Sequence, residues 1–309
     1  MEASNGTRPR HYAFYDFSTC NMCGADASGA KIMGLRLDKS QGRRPKRKMG
    51  IAVTVCKCRE CGLVFANPQP VPASIQDHYG LPPESYWKSV SYEPSPGYFS
   101  RQVTAAKRLL GDRSSIKALD IGLGLGKAAR VMRDAGFDVH GIEPSRPFFE
   151  KAVEQLGDNS GRFQLASIEE ADFPPGTFDF VTFGAVLEHL YNPAKSIAKA
   201  MGWLRVGGIV HAEIPSTRHL ASLIINTYYR ALGTSYVTNT SPMHIPYHLF
   251  EFSIECFHKN GRRAGYEVAE SWLEYYGLLN IPEFLHPPLK WWMDRTGRAQ
   301  QLTVFLRKL

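Results

Sequence analysis

The stretch Ala118-Leu-Asp-Ile-Gly-Leu-Gly-Leu-Gly126 decides how the chain is read. An apolar run from Ile116 to Ile121 breaks into glycines at 122, 124 and 126, and Lys127 to Asp134 then carries good helix formers. The expected order is strand, tight turn, helix. Glycines there permit positive φ and leave no Cβ between the main chain and a ligand seated on the helix N-terminus. A second strand, Asp138-Val-His-Gly-Ile142, runs into Glu143, where a βαβ nucleotide fold places a carboxylate for both ribose hydroxyls.

Asp120 before the glycines, the Gly-x-Gly-x-Gly spacing and Gly141-Ile-Glu-Pro-Ser145 together resemble a class I S-adenosylmethionine-dependent methyltransferase. A later block, Phe178-Asp-Phe-Val-Thr-Phe-Gly-Ala-Val-Leu-Glu-His-Leu-Tyr-Asn-Pro193, is similar to the fourth strand and following loop of the methyltransferases that act mostly on small molecules. A nicotinamide-binding domain lacks that block. The resemblance covers about residues 97 to 275. It implies S-adenosylmethionine as cofactor, held by Asp120, Gly122, Gly124, Gly126 and Glu143, with Ser167 and Ile168 at the adenine. Glu188 is placed with the cofactor residues by the same resemblance.

The chain has 309 residues and 43% apolar content, enough for one sizeable core and one smaller satellite domain. No run approaches the roughly 18 apolar residues that span a bilayer, and Met1 to Phe17 lacks the apolar stretch of a signal peptide. A soluble, cytoplasmic protein is expected. The net charge of +8 is uneven: residues 31 to 59 hold ten Lys and Arg against the single acid Asp38, leaving 27 basic and 28 acidic residues elsewhere. Arg43-Arg-Pro-Lys-Arg-Lys48 is the densest part. It is either a solvated loop tip or a phosphate contact.

Five of the six cysteines lie at 20, 23, 56, 58 and 61, in the pattern Cys20-Asn-Met-Cys23-Gly24 and Cys58-Arg-Glu-Cys61-Gly62. Each Cys-x-x-Cys-Gly turn aims two thiolates at one point, and two such turns make a tetrahedral zinc site from Cys20, Cys23, Cys58 and Cys61. Four thiolates leave no open position, so a structural zinc is expected. Cys56 is an alternative ligand, and Cys256 reads as a packed small apolar residue. The spacing between the turns exceeds that of an ordinary ribbon because it contains the basic loop.

The expected division is a zinc-ribbon domain over 1–67, a proline-rich connector over 68–96 and a class I methyltransferase domain over 97–309. In the connector, Tyr79, Tyr86, Trp87 and Tyr92 either cover part of the cofactor pocket or pack on the catalytic domain. Repeated strand and helix patterns after Gly97 predict an α/β fold: a doubly wound, Rossmann-like seven-stranded sheet with the N-terminal zinc ribbon and a helical lid insertion over about 216–250. Pro282 to Trp292 is read as a further insertion, for the lid or for a homodimer contact.

Methyl transfer from a sulfonium is an in-line displacement that needs alignment and exclusion of water, with a base where the acceptor is a hydroxyl. His244, then His248 and His189, are the candidate bases. Each has a structural alternative, since histidines in apolar segments commonly only satisfy local hydrogen bonds. The leading expectation is transfer to an oxygen or nitrogen of a small-molecule acceptor such as a sugar, a lipid-linked intermediate or a secondary metabolite. An RNA methyltransferase using the basic loop, and a non-catalytic S-adenosylmethionine-binding module, are the alternatives.

Overall fold

The computed structural model describes residues 12–74, 78, 82–85, 92–111, 113–157, 160–275 and 282–309. Five short strands come first: β1 (Tyr12–Tyr15), β2 (Lys31–Leu37), β3 (Ala52–Lys57), β4 (Val64–Ala66) and β5 (Gln69–Pro72). Strands β2, β3 and β4 form an antiparallel sheet, while β1 pairs separately with β5. The connector therefore begins as a strand. Its Tyr79, Tyr86 and Trp87 lie outside the described residues; the Tyr92 hydroxyl donates to Glu84 at 2.9 Å.

The larger sheet then unfolds in the order the glycine stretch demands. Strand β6 (Lys117–Ile121) precedes the helix Lys127–Asp134, and β7 (Asp138–Glu143) precedes the helix Arg146–Leu156. β8 (Phe163–Leu165), β9 (Phe178–Gly184), the helix Pro193–Trp203 and β10 (Leu204–Pro215) follow. After the helix Leu220–Ala231 come β11 (Phe250–Glu251), the helix Ile254–Ala264, β12 (Tyr266–Glu274), the helix His286–Thr296 and β13 (Gln301–Lys308). The sheet runs β12-β13-β10-β9-β6-β7-β8, and β13 is antiparallel to both neighbours. This is the doubly wound seven-stranded α/β sheet. β6 and β9 lie at its centre, and Ala118, Leu119, Phe178, Phe180, Val181 and Phe183 are buried, as strands covered by helices on both faces require.

Two features tie the N-terminal segment to this body. β11, which falls at the end of the predicted lid, pairs with β4 and so extends the N-terminal sheet to four strands. A single apolar core runs from Cys20, Cys58, Cys61, Leu63 and Phe65 through Phe250, Phe252 and Phe257 to the central strands. Segment 216–250 likewise rests on the N-terminal sheet: Val237 N–H donates to Leu35 O at 3.0 Å and Leu35 N–H to Ser235 O at 2.9 Å. The insertion at Pro282 to Trp292 resolves into a short 3-10 turn, Glu283–Leu285, and the start of the helix His286–Thr296.

Candidate functional site

The glycine turn uses its three glycines differently. All three have positive φ, 72°, 55° and 75° at positions 122, 124 and 126. A Cβ on Gly122 would lie 2.5 Å from Val186 Cγ2, and one on Gly126 would lie 3.0 Å from Leu156 Cδ1. Those two positions are closed by packing. At Gly124 the nearest atom would be the Gly122 carbonyl at 3.9 Å, so here the missing side chain leaves open space at a helix N-terminus. Glu143 faces this turn: its Oε2 accepts from Gly124 N–H and its Oε1 from Ser145 N–H, both at 2.9 Å.

Carboxyl groups gather around the turn. Burial pushes Glu143 up to about 7 against those two donors. Burial and then the Glu143 charge push Asp120 well above the carboxylate range. Glu213 on β10, level with Gly184 on β9, accepts from Gln102 Nε2 at 3.2 Å. Burial, followed by the charges of Asp120 and Glu213, pushes the Tyr98 phenol up. Burial thus holds these acidic groups toward their neutral forms, and a cationic ligand seated among them would draw the carboxyls back to their charged forms.

The loop after β9 closes the other side. Ala185 takes φ of 55°, a strained value for a residue with a Cβ, while its N–H donates to Glu213 O at 3.0 Å. The strain turns Val186 onto Gly122 and Glu188 inward. Glu188 is buried, and Nε2 of both His189 and His248 lies 3.9 Å from its Oε1. His189 Nδ1 is 3.3 Å from Tyr247 O, which fixes the proton on Nδ1. Burial lowers His189 to about 4, and burial with the adjacent His189 lowers His248 to about 3. Burial, opposed by a backbone hydrogen bond and aided by the Glu213 charge, raises Glu188 to about 8. At neutral pH the cluster is an uncharged acid beside two uncharged imidazoles.

A family model described as a methyltransferase domain matches residues 119–212, from within β6 to within β10. The chain carries a class I S-adenosylmethionine-dependent methyltransferase domain. Among curated relatives, a ubiquinone biosynthesis O-methyltransferase of Methylococcus capsulatus is 33% identical over 30% of this chain and 41% of its own length. A phosphoethanolamine N-methyltransferase 2 of Caenorhabditis elegans is 30% identical over 38% of this chain and 28% of its own. The chain thus spans less than half the length of either relative. A solved S-adenosylmethionine-dependent methyltransferase from Mesorhizobium loti covers 68% of this chain and 97% of its own at 16% identity, with a TM-score of 0.47.

In the methyltransferase domain, Ser167, Ile168 and His189 line one groove of about 1320 Å³, together with Pro144, Arg146 and Tyr191. Within it Ile168 is itself buried in the core, and Ser167 N–H donates to Glu170 at 2.9 Å. Tyr98, Gln102 and Glu213 line a second cavity of about 1080 Å³. His244 stands elsewhere. It lines a cavity of about 360 Å³ with Arg36, His219, Glu251 and His248, and its Nε2 is 2.9 Å from Arg36 Nη2. Arg36 only donates, so the lone pair a base would use is engaged; burial and then the Arg36 charge lower His244 to about 4. Sequence reasoning missed Tyr98, Gln102, Val186 and Glu213. Only the polar end of β10, Glu213-Ile-Pro215, offered a signal.

Beside the domain, the sulfurs of Cys20, Cys23, Cys58 and Cys61 lie within 4.8 Å of one another. The Cys20–Cys61 and Cys23–Cys58 pairs are 3.5 and 3.6 Å apart. A tetrahedron with metal–sulfur bonds of about 2.3 Å has edges near 3.8 Å, so the four thiols fit one zinc ion. Gly24 and Gly62 take φ of 74° and 76°, and their N–H groups donate to Cys20 O and Cys58 O, closing each turn. Without metal, the hydrogen bond to Cys61 and then burial raise the Cys20 thiol, while burial raises Cys23 to about 11. Cys56 lies on β3 outside this group, and Cys256 donates to Cys61 O at 3.3 Å.

Proposed function

We propose that the protein transfers a methyl group from S-adenosylmethionine to an oxygen or nitrogen of a small-molecule acceptor. The observation that carries this reading is the pairing of an open Gly124 turn with a buried Glu143, beside the buried carboxyl of Asp120. When bound, S-adenosylmethionine supplies an electrophilic methyl group on a sulfonium. Gly124 provides the close main-chain approach, and Glu143 exchanges its N–H partners for ribose hydroxyls. The positive charge of the cofactor would favour the ionised forms of Asp120 and Glu213, which stabilise it in turn, while Tyr98 lines the same cavity as Glu213.

His189 is the base this reading assigns first, with His248 beside it. The tautomer set by Tyr247 leaves Nε2 of His189 as the proton acceptor, and a protonated Glu188 donates toward the same space. His244 is assigned to positioning, because Arg36 holds its basic nitrogen. Cys20, Cys23, Cys58 and Cys61 would hold a structural zinc that fixes the N-terminal sheet against Phe250 and Phe252.

The test is incubation of the purified protein with methyl-labelled S-adenosylmethionine and fractionated cell extract. Label in a small-molecule or lipid fraction supports the reading. Label in RNA assigns a different acceptor, and cofactor binding without label in any fraction makes the protein a binding module.

A further inference from the structure

We infer that the helix Leu220–Ala231 and the basic loop 39–51 form one docking surface for an anionic membrane surface, at which the protein lies without crossing the bilayer. The helix is inverted relative to an ordinary surface helix. Its buried positions are Asn226 and Tyr229, whereas Leu223, Ile224, Ile225 and Tyr228 are 40, 55, 37 and 43% exposed. Polar contacts hold it in place: Asn226 Oδ1 accepts from Thr238 N–H and its Nδ2 donates to Asn239 Oδ1, both at 2.8 Å. The apolar residues are therefore free to serve an outside partner.

The same helix fixes the basic loop beside that face. Tyr228 Oη donates to Arg43 O at 2.9 Å and Tyr229 Oη to Gly42 O at 3.0 Å. Arg43, Arg44, Lys46, Arg47 and Lys48 are all exposed there, and the loop adds Met49 and Ile51, 83 and 53% exposed. Neither segment carries an acid. No Asp or Glu occurs between Asp38 and Glu60, nor between Glu213 and Glu251.

Charge and apolarity together select the occupant. Aliphatic side chains next to a cluster of Lys and Arg match a bilayer interface, where the apolar groups enter the acyl boundary and the cations meet anionic headgroups. Phosphates of a nucleic acid would use the cations but not Leu223, Ile224 and Ile225. A second copy across a two-fold axis would bring two such basic, acid-free segments together. Among the described residues no helix is long and apolar enough to cross a membrane, which leaves interfacial attachment. His219 and Ser222, at the start of this helix, line the polar cavity that holds Arg36 and His244. His248, whose ring lies 5.0 Å from that of His189, lines this cavity too, so docking would bring a lipid-borne acceptor toward the second candidate base, a step that rests on the methyl-transfer reading.

The test needs no activity. Full-length protein is floated with vesicles of phosphatidylcholine alone and of phosphatidylcholine with phosphatidylserine, at low and high salt. Partition onto the anionic vesicles is expected to exceed that onto neutral ones by about tenfold and to fall as salt rises. Ile224→Asp, and joint replacement of Arg43, Arg44, Lys46, Arg47 and Lys48 by Gln, should each lower it by about tenfold while the variants melt with the parent. Absence of vesicle binding would overturn the proposal, as would binding that ignores Ile224→Asp. Tighter binding to single-stranded RNA with the same indifference would reassign the loop, and a dimer abolished by Ile224→Asp would give the face to a second copy.

Discussion

The cysteine cluster and the cluster of Glu188, His189 and His248 each gather ligating atoms within 4.8 Å, yet they are assembled in opposite ways. The sulfurs come from two turns of four residues, each closed by its own glycine and its own main-chain hydrogen bond. The second cluster joins a strained loop after β9 to a segment more than fifty residues later, and burial is the largest influence on its protonation. Local geometry yields a site suited to a fixed soft cation. Tertiary burial yields an uncharged acid and two uncharged imidazoles, suited to exchanging protons with a bound ligand.

The largest expected effect tests the first half of this contrast. Cys58→Ser should lower bound zinc from one per chain to none and expose Phe65 and Phe250, seen as loss of the cooperative melt; retention of both would show that packing alone holds the N-terminal sheet. The second cluster should respond in turnover rather than in folding. His189→Asn is expected to lower kcat by about a hundredfold with an unchanged melt, and His244→Asn much less, in a labelled-methyl assay. An equal loss in both would move the base to the Arg36 cavity.

Smaller effects sharpen the cofactor end. Glu143→Ala should weaken S-adenosylmethionine by roughly ten- to a hundredfold in calorimetry, since hydrogen bonds to a charged group are each worth about 1.5–3 kcal/mol. Unchanged affinity would remove Glu143 from the cofactor site. Gly124→Ala should likewise cost affinity with a modest fall in the melt, since its Cβ meets open space but φ of 55° strains any residue that carries one, whereas Gly122→Ala should lower the melt further by also crowding Val186.

The smallest effect is a pH dependence. Glu188 is raised to about 8 and Glu143 to about 7, so between an unfolded carboxylate near 4.5 and those values the native state binds more protons than the unfolded one. Stability therefore falls as pH rises through that window. The lowered histidines act in the opposite direction, but only below about 6.5. In urea titrations of the cofactor-free protein, stability should decline from about pH 6.5 to 8, by at most roughly 1.4 kcal/mol per pH unit for each carboxyl. Glu188→Gln should flatten that decline. An unaltered slope would show that Glu188 is ionised in the folded protein.

The sequence by itself determined what depends on neighbours along the chain. Three alternating glycines after an apolar run produced the strand, turn and helix at 117–134, because few residues other than glycine accept those backbone angles. The doubled Cys-x-x-Cys-Gly pattern converged four sulfurs for the same reason. The short apolar run ahead of Glu143 placed β7 at its observed position. The tertiary structure alone decided which polar groups meet. Nothing local to Tyr98 or Arg36 says that the first comes within reach of the Asp120 and Glu213 charges or that the second takes His244, since those partners come from separate strands or lie some two hundred positions away. Separation along the chain carries no period or turn signal, and burial, which sets the charge of every candidate base, exists only once the chain has packed.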